Sequence, residues 1–239
     1  MRLLIIRHAD PDYAIDSLTE KGHREAALLA ERLAKEKIDA FYVSPLGRAR
    51  DTAGYTLRKM GREAQVCDWL REFPAVIDKP NEQGDIAWDW MPADWTAYPE
   101  FFDRERWMHH PAMEAGGVPA LYADVCTGLD ALLENHGYKR ENNYYRAVRA
   151  NRETVALFCH FGLACVLLSH LLNVSPMILW HGFCAAPSSV TTLYTEEREE
   201  GVAYFRAAAF GDTSHLYAKD EAPAFSARFC ETFDSDERH

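Results

Sequence analysis

Long apolar runs are missing from this chain. None reaches the roughly twenty residues that a membrane-spanning helix needs, and the N-terminal stretch Leu3 to Ile6 stops at Arg7, too soon to form the core of a secretion signal. Also missing is any Cys-x-x-Cys pair. Cys67, Cys126, Cys159, Cys165, Cys184 and Cys230 are scattered, which argues against a disulfide framework or a zinc cluster and for reduced thiols in a cytoplasmic protein. Positive charge is in deficit, with 26 Lys and Arg against 37 Asp and Glu. The resulting net charge of −11 excludes nonspecific attraction to nucleic acid or anionic membranes. The same charge repels an anionic ligand at long range, so a site for one must be locally basic. A composition 48% apolar and 26% charged is that of an ordinary globular domain, and 239 residues suffice for one domain with an insertion, or at most two.

What is present begins at the N-terminus. Met1 to Ile6 reads as a buried strand ending in Arg7-His8-Ala9-Asp10, with the turn formers Pro11 and Asp12 behind it. Such a strand delivers Arg7 and His8 to its C-terminal edge, where open α/β sheets bind ligands. Taken alone, an Arg-His pair there more often marks a solvated strand end. Residues 19–36 form an amphipathic helical pattern through Ala26, Leu29, Ala30 and Leu33, with Thr19 as N-cap and a first turn weakened by Gly22 and His23. Ile38 to Val43 predicts a second strand, and Ser44-Pro45 the next helix start, Ser44 capping and Pro45 in the first helical position. Gln65 to Cys67 continues the rhythm. Thr154 to Cys159 is a buried-type strand ending at His160, and Leu163 to Leu172 an apolar helix. The fold class expected is α/β, a three-layer sandwich whose mostly parallel open sheet carries helices on both faces.

From Phe73 the rhythm breaks. Residues 74–153 predict a mainly helical insertion between the core segments 1–73 and 154–217, with Val118 to Glu134 as its clearest helix. Trp88, Trp90 and Trp95 read first as the core of that insertion and second as a lid wall. The basic stretch Lys139 to Arg152 reads as a solvated helix face or connection. Ser188 to Tyr194 and Val202 to Phe210 predict an antiparallel pair at the sheet's edge, and residues 218–239 a polar, partly disordered tail. His109-His110 has no carboxylate at ligand spacing, so no metal site is expected and no cofactor is called for.

Four segments, in order, are more specific than any of them alone: Arg7-His8-Ala9, Leu18-Thr19-Glu20-Lys21-Gly22, the run from Ser44 to Ala53 containing Arg48, Arg50 and Thr52, and His160 after an apolar strand. Together they resemble the histidine phosphatase superfamily, the phosphoglycerate-mutase-like proteins, in its phosphatase branch. The likeness covers residues 1–72 and 155–171, with a weaker echo at Gly211 to Leu216, read as structural. Two departures stand out: Ala9 replaces the usual glycine, and Phe161 separates His160 from Gly162. The resemblance implies that His8 is the nucleophile, that Arg7, Arg48 and His160 surround the phosphate, and that Glu72 is the general acid, with Asp68 or Glu82 as substitutes. An imidazole suits the first role because it is already nucleophilic near neutral pH, and guanidinium suits the second because it forks onto phosphate oxygens and stays charged. The helix N-terminus after Ser44 would add oriented amides. Arg50, two residues along the same helix from Arg48, should face elsewhere.

The function expected is metal-independent hydrolysis of a small phosphorylated metabolite through a phosphohistidine. A mutase on the same scaffold is disfavoured because only nine residues, Ala9 to Ser17, separate His8 from Leu18, too short for the long gripping loop of that branch. A noncatalytic phosphate-binding protein is disfavoured by the joint presence of His8, Arg48 and His160. Tyr13, Trp88, Trp90 and Phe161 are the candidates for substrate contact. The expected partner is the small phosphorylated substrate, with neither nucleic acid nor membrane; the sequence leaves a homodimer open.

Overall fold

The computed structural model describes residues 1–80, 82–226 and 228–238. Strand β1 (Arg2–Arg7) is buried on both faces from Leu3 onward. Short strands β2 (Pro11–Asp12) and β3 (Ser17–Leu18) pair across the loop that follows His8. Helix α1 (Glu20–Leu33) then starts at the predicted cap, Thr19 Oγ1 accepting the Gly22 N–H at 3.0 Å. Gly22 is a requirement there. A Cβ at that position would stand 2.1 Å from the Asp10 carbonyl oxygen, so only glycine lets α1 pack against the loop that carries His8.

Strand β4 (Ala40–Val43) leads to α2 (Gly47–Met60). Ser44 does not cap this helix. Leu46 holds the N-cap position without a side-chain bond, and Ser44 Oγ instead meets His160 Nε2 at 2.7 Å while accepting the Leu46 N–H at 3.3 Å. After β5 (Gln65–Val66) the chain enters the insertion through a hairpin, β6 (Val76–Lys79) and β7 (Glu82–Ile86). It continues through α3 (Pro92–Trp95), α4 (Pro111–Ala115) and α5 (Val118–Asn135) to a second hairpin, β8 (Tyr138–Glu141) and β9 (Tyr144–Ala147). The core resumes with β10 (Thr154–Cys159), α6 (Phe161–Leu172), α7 (Pro176–Gly182), β11 (Val190–Glu199), β12 (Val202–Asp212) and α8 (Ser214–Tyr217).

The central sheet has the order β5-β4-β10-β1-β11-β12-β9-β8; β5, β4, β10 and β1 run parallel, and β11 onward pair antiparallel. Side-chain alternation along the central strands makes the three layers. Leu4, Ile6, Phe41 and Phe158 pack on Leu29 and Leu33 of α1 and on Ala49 and Ala53 of α2. Leu3, Ile5, Val155 and Leu157 face the opposite layer, which includes Leu129 of α5 and Val166 of α6. Each such side chain contributes about 2 kcal/mol by leaving water, so β1 is held rigidly and its C-terminal end is a fixed platform.

Two expectations change at the other side. β11 and β12 are interior strands, because the β8–β9 hairpin pairs onto β12 and takes the edge. That hairpin is the basic stretch itself: Tyr138 and Tyr145 turn inward and are buried, Lys139 and Arg146 turn outward, and Asn142 takes a left-handed φ of 54° at the turn. The tail also returns to the body. Glu221 pairs with Lys21 and Arg24, the Ala224 N–H donates to Glu25 Oε1 at 3.1 Å, and Ser226 Oγ bonds Asp10 Oδ1 at 2.9 Å. Among the described residues no helix is long and apolar enough to cross a membrane.

Candidate active site

The C-terminal ends of β1 and β10 lie side by side, the His8 N–H donating to the Cys159 carbonyl at 2.9 Å, and they bring His8 and His160 together with ring centroids 5.1 Å apart. Both imidazoles are buried. His8 Nδ1 sits 2.8 Å from the Ala9 carbonyl, which can only accept, so Nδ1 carries the proton and Nε2 keeps its lone pair. Nε2 makes no hydrogen bond among the described residues. Burial first, then the charges of Arg7 and Arg48, takes His8 down to about 3 against a smaller upward pull from the Ala9 carbonyl. His160 is likewise held well below its ordinary value, by burial, then His8, Arg48 and Arg7. Two neutral imidazoles therefore face each other at neutral pH. Thr52 of α2 steadies the loop by accepting the Ala9 N–H at 3.0 Å, and Ala9 itself is buried against Leu18 and Ala26, a space in which the methyl group is accommodated.

Arg7 and Arg48 supply the positive charge. Among the described residues both use only Nη1 for hydrogen bonds: Arg7 to the carbonyls of Ala185 (2.6 Å) and Ser226 (3.0 Å), Arg48 to Asp16 Oδ1 (2.6 Å). Their Nε atoms and His160 Nδ1 are buried without a partner among the described residues. Three buried nitrogens without a partner, from β1, α2 and the β10–α6 junction, are donors available to an anion. Burial pulls Arg7 down from its ordinary value, opposed by Tyr13 and Glu72. The expected amides of α2 are not free for this: the Gly47 N–H donates to Asp16 Oδ2 at 2.7 Å. Arg50 is exposed, as its helical position implied.

Glu72 reaches the same place from the far end of the core. Its Oε1 accepts the N–H groups of Phe73 (2.9 Å) and Leu163 (2.8 Å), and its Oε2 a weaker one from Gly162 (3.4 Å). Burial raises its carboxyl pKa; these amides and Arg7 oppose the shift without cancelling it. Gly162, displaced by one position from its expected place, has a packing reason. A Cβ there would come within 2.8 Å of the Trp88 ring and 2.9 Å of Glu72 Oε1. The substitute acids fall elsewhere: Asp68 is exposed, and Glu82 pairs with Lys79 at 3.0 Å.

A cavity of about 390 Å³ is lined by Arg7, Arg48 and Glu72 of this group, while the buried His8 and His160 are not part of its lining. Arg7, Arg48 and Glu72 form one end of it; Phe73, Trp88, Phe161, Trp180 and Phe229 supply aromatic walls, with Tyr13, Pro74, Ile86 and Asp89 beside them. Tyr13 and Phe161 thus stand where contact was expected, with Arg48 Cζ 5.3 Å from the Tyr13 ring and Arg7 Cζ 5.8 Å from that of Phe161. Trp90 does not. It is buried in the insertion, its Nε1 donating to the Ala87 carbonyl at 3.0 Å and its ring 5.1 Å from that of Phe101. His109 pairs with Glu114 away from the cavity. Trp180, Asp89 and Phe229 carried no signal in the sequence, since each lies in a short segment without periodicity or motif. Among the described residues, no three His, Cys, Asp or Glu side chains are grouped to hold a metal ion.

A family model described as histidine phosphatase superfamily (branch 1) matches residues 3–207. Phosphoserine phosphatase 1 of Hydrogenobacter thermophilus is 27% identical over 209 residues, covering 83% of this chain and 88% of that protein. A putative phosphoserine phosphatase 2 of the same organism is 37% identical over 81 residues, 30% of this chain and 40% of its own. Among solved structures, a phosphoserine phosphatase from Entamoeba histolytica in complex with phosphoserine superposes with a TM-score of 0.61 at 20% identity, over 90% of this chain and 98% of that one. Mycobacterial glucosyl-3-phosphoglycerate phosphatase superposes with a TM-score of 0.58 at 21% identity, over 88% and 98%. At these identities the solved structures show the shared fold.

Proposed function

The chain belongs to the histidine phosphatase superfamily, and from that premise we propose that it hydrolyses a small phosphomonoester, without a metal ion, through a phosphohistidine on His8. The carrying observation is the pairing of a proton-bearing Nδ1, fixed on the Ala9 carbonyl, with three unpartnered nitrogens from Arg7, Arg48 and His160. His8 Nε2 attacks phosphorus as the bond to the ester oxygen breaks, and Glu72 donates its proton to that oxygen. The leaving alcohol departs neutral. Glu72, now a carboxylate, takes a proton from water, whose oxygen displaces Nε2 and returns His8 and inorganic phosphate. Arg7 and Arg48 offset the charge on the nonbridging oxygens throughout, the work a metal ion would otherwise do. A carboxyl whose pKa is raised suits a group that must be protonated for the first step and ionised for the second. The scattered cysteines support a cytoplasmic setting.

Phosphate release from an aryl phosphate tests this reading. His8→Ala should lose several orders of magnitude in kcat, since the mechanism has no other nucleophile, while EDTA leaves the wild type unchanged. Full activity in that variant, or abolition by the chelator, contradicts it.

A further inference from the structure

Beyond the phosphate end, the cavity has an unusual electrostatic character. Among the described residues no lysine, histidine or further arginine lines it. The other acidic residue of the lining is Asp89, which is exposed and whose carboxylate makes no hydrogen bond among the described residues; partial burial raises its pKa, and Lys79 opposes this through space. The nearby cation is committed elsewhere. Lys79 is buried, its Nζ held by Asp85 (2.6 Å), Glu82 (3.0 Å) and the carbonyls of Trp88 (3.3 Å) and Asp89 (3.2 Å). Much of the remaining lining is aromatic, with Pro74 and Ile86 beside it. Phe73, Trp88 and Trp180 form one connected set with centroids 5.8 to 6.4 Å apart, and Phe161 and Phe229 add two more rings.

These facts constrain the leaving group. With Arg7 and Arg48 engaged by the transferred phosphate, a second carboxylate or phosphate on the substrate would meet ring electrons and Asp89 with no further cation in the lining, which costs free energy in a partly desolvated site. A cationic nitrogen would meet the reverse: a carboxylate, and rings whose negative quadrupole attracts positive charge. We infer that the preferred substrate is the phosphate ester of an alcohol that carries a positively charged ammonium group, seated among Phe73, Trp88, Phe161 and Trp180 and facing Asp89. The inference rests on the phosphatase reading above and adds the substrate class. It also separates this chain from a site built to hold a phosphorylated acid.

The test compares three alkyl phosphates on the purified full chain: phosphocholine, its isostere with an uncharged head group, 3,3-dimethylbutyl phosphate, and 3-phosphoglycerate, which adds a carboxylate to the phosphate. An aryl phosphate serves as the general measure of turnover. The expected result is a kcat/KM for phosphocholine about tenfold or more above the isostere, the effect of a partly desolvated cation–π contact reinforced by a carboxylate, with 3-phosphoglycerate lowest. In Asp89→Asn the ratio of phosphocholine to isostere should fall several-fold toward unity. That variant keeps the shape of the side chain and tolerates the left-handed φ of 74° at this position, so it should fold; a thermal melt matching the wild type confirms that the ratio is read on intact protein. Equal or faster hydrolysis of the isostere, preference for 3-phosphoglycerate, or an unchanged ratio in Asp89→Asn overturns the inference while leaving the phosphatase reading in place. No release from any ester, the aryl phosphate included, takes both down.

Discussion

The two ends of the cavity are made of different material. The end proposed to hold phosphate is assembled from the rigid core: Arg7 ends a central strand, with His8 just after it, His160 follows its parallel neighbour, and Arg48 sits in the first turn of a helix packed on the same sheet. The aromatic end combines Phe73, Phe161 and Trp180 of the core segments with Pro74, Ile86, Trp88 and Asp89 from residues 74–153 and Phe229 from the tail. One end is charged and buried; the other is aromatic, with a single carboxylate. The difference suggests a division of labour in which the charged end performs phosphoryl transfer on any ester that fits and the aromatic end chooses among esters.

Glu72 lines the cavity together with Arg7 and Arg48, and its variant should show the largest effect of those that leave the nucleophile in place. Glu72→Gln is expected to slow an alkyl phosphate by about 10²–10⁴-fold, the usual worth of a positioned acid, and an aryl phosphate far less, because that leaving oxygen departs without a proton. The pH dependence carries its own sign. A raised carboxyl pKa keeps Glu72 protonated to higher pH than an ordinary glutamate, so alkyl phosphate turnover falls as pH rises through that value, and this alkaline limb should vanish in Glu72→Gln. His8, held near 3, stays neutral on the acid side where an ordinary imidazole would be protonated; activity should persist below pH 6. An alkaline limb that survives in Glu72→Gln, or equal slowing of the two esters, would assign the acid elsewhere.

Next in size is the pair Arg48→Ala and Arg50→Ala. Removing Arg48 takes away a preorganised charge at the transferring group, about 3 kcal/mol or on the order of 10²-fold in kcat. Removing the exposed Arg50 should leave kinetics and melting temperature near wild type. Similar losses in both would mean that the helix does not present Arg48 to the phosphate.

The smallest effect should come from the variant that joins the two ends. A methyl group at position 162 collides with Trp88 on one side and Glu72 on the other, so Gly162→Ala is expected to lower stability by about 1–3 kcal/mol, as over-packing does. Turnover and ester preference should shift together. Altered preference with untouched turnover would indicate that Trp88 yields and Glu72 does not.

The same division explains what could be read from the sequence. Buried parallel strands announce themselves as continuous apolar runs, so β1 and β10 stand out, and with them the residues they deliver; the Thr19 cap was equally local. The parts that sequence reasoning misplaced depend on contacts between distant segments. Ser44 has the chemistry of a helix cap, yet a buried imidazole 116 positions away claims its hydroxyl. The β8–β9 hairpin hides its period-two pattern because Tyr138 and Tyr145 are the buried members of a run otherwise dominated by charge. Trp90 and Trp88 look alike in the chain. Which one faces the cavity is decided by Phe101 and Ala87 on one side and Gly162 on the other, a matter of tertiary packing.

The central claim is that the core end works through a covalent intermediate on His8. Mixing the enzyme with excess aryl phosphate, quenching within the first turnovers under alkaline denaturing conditions, and mapping the peptides by mass should find one phosphoryl group on the peptide carrying His8. It should be stable to base and lost in mild acid, as a phosphoramidate is. Phosphate on another peptide, an acid-stable adduct, or rapid turnover with no phosphoryl enzyme under conditions that preserve phosphohistidine would contradict it.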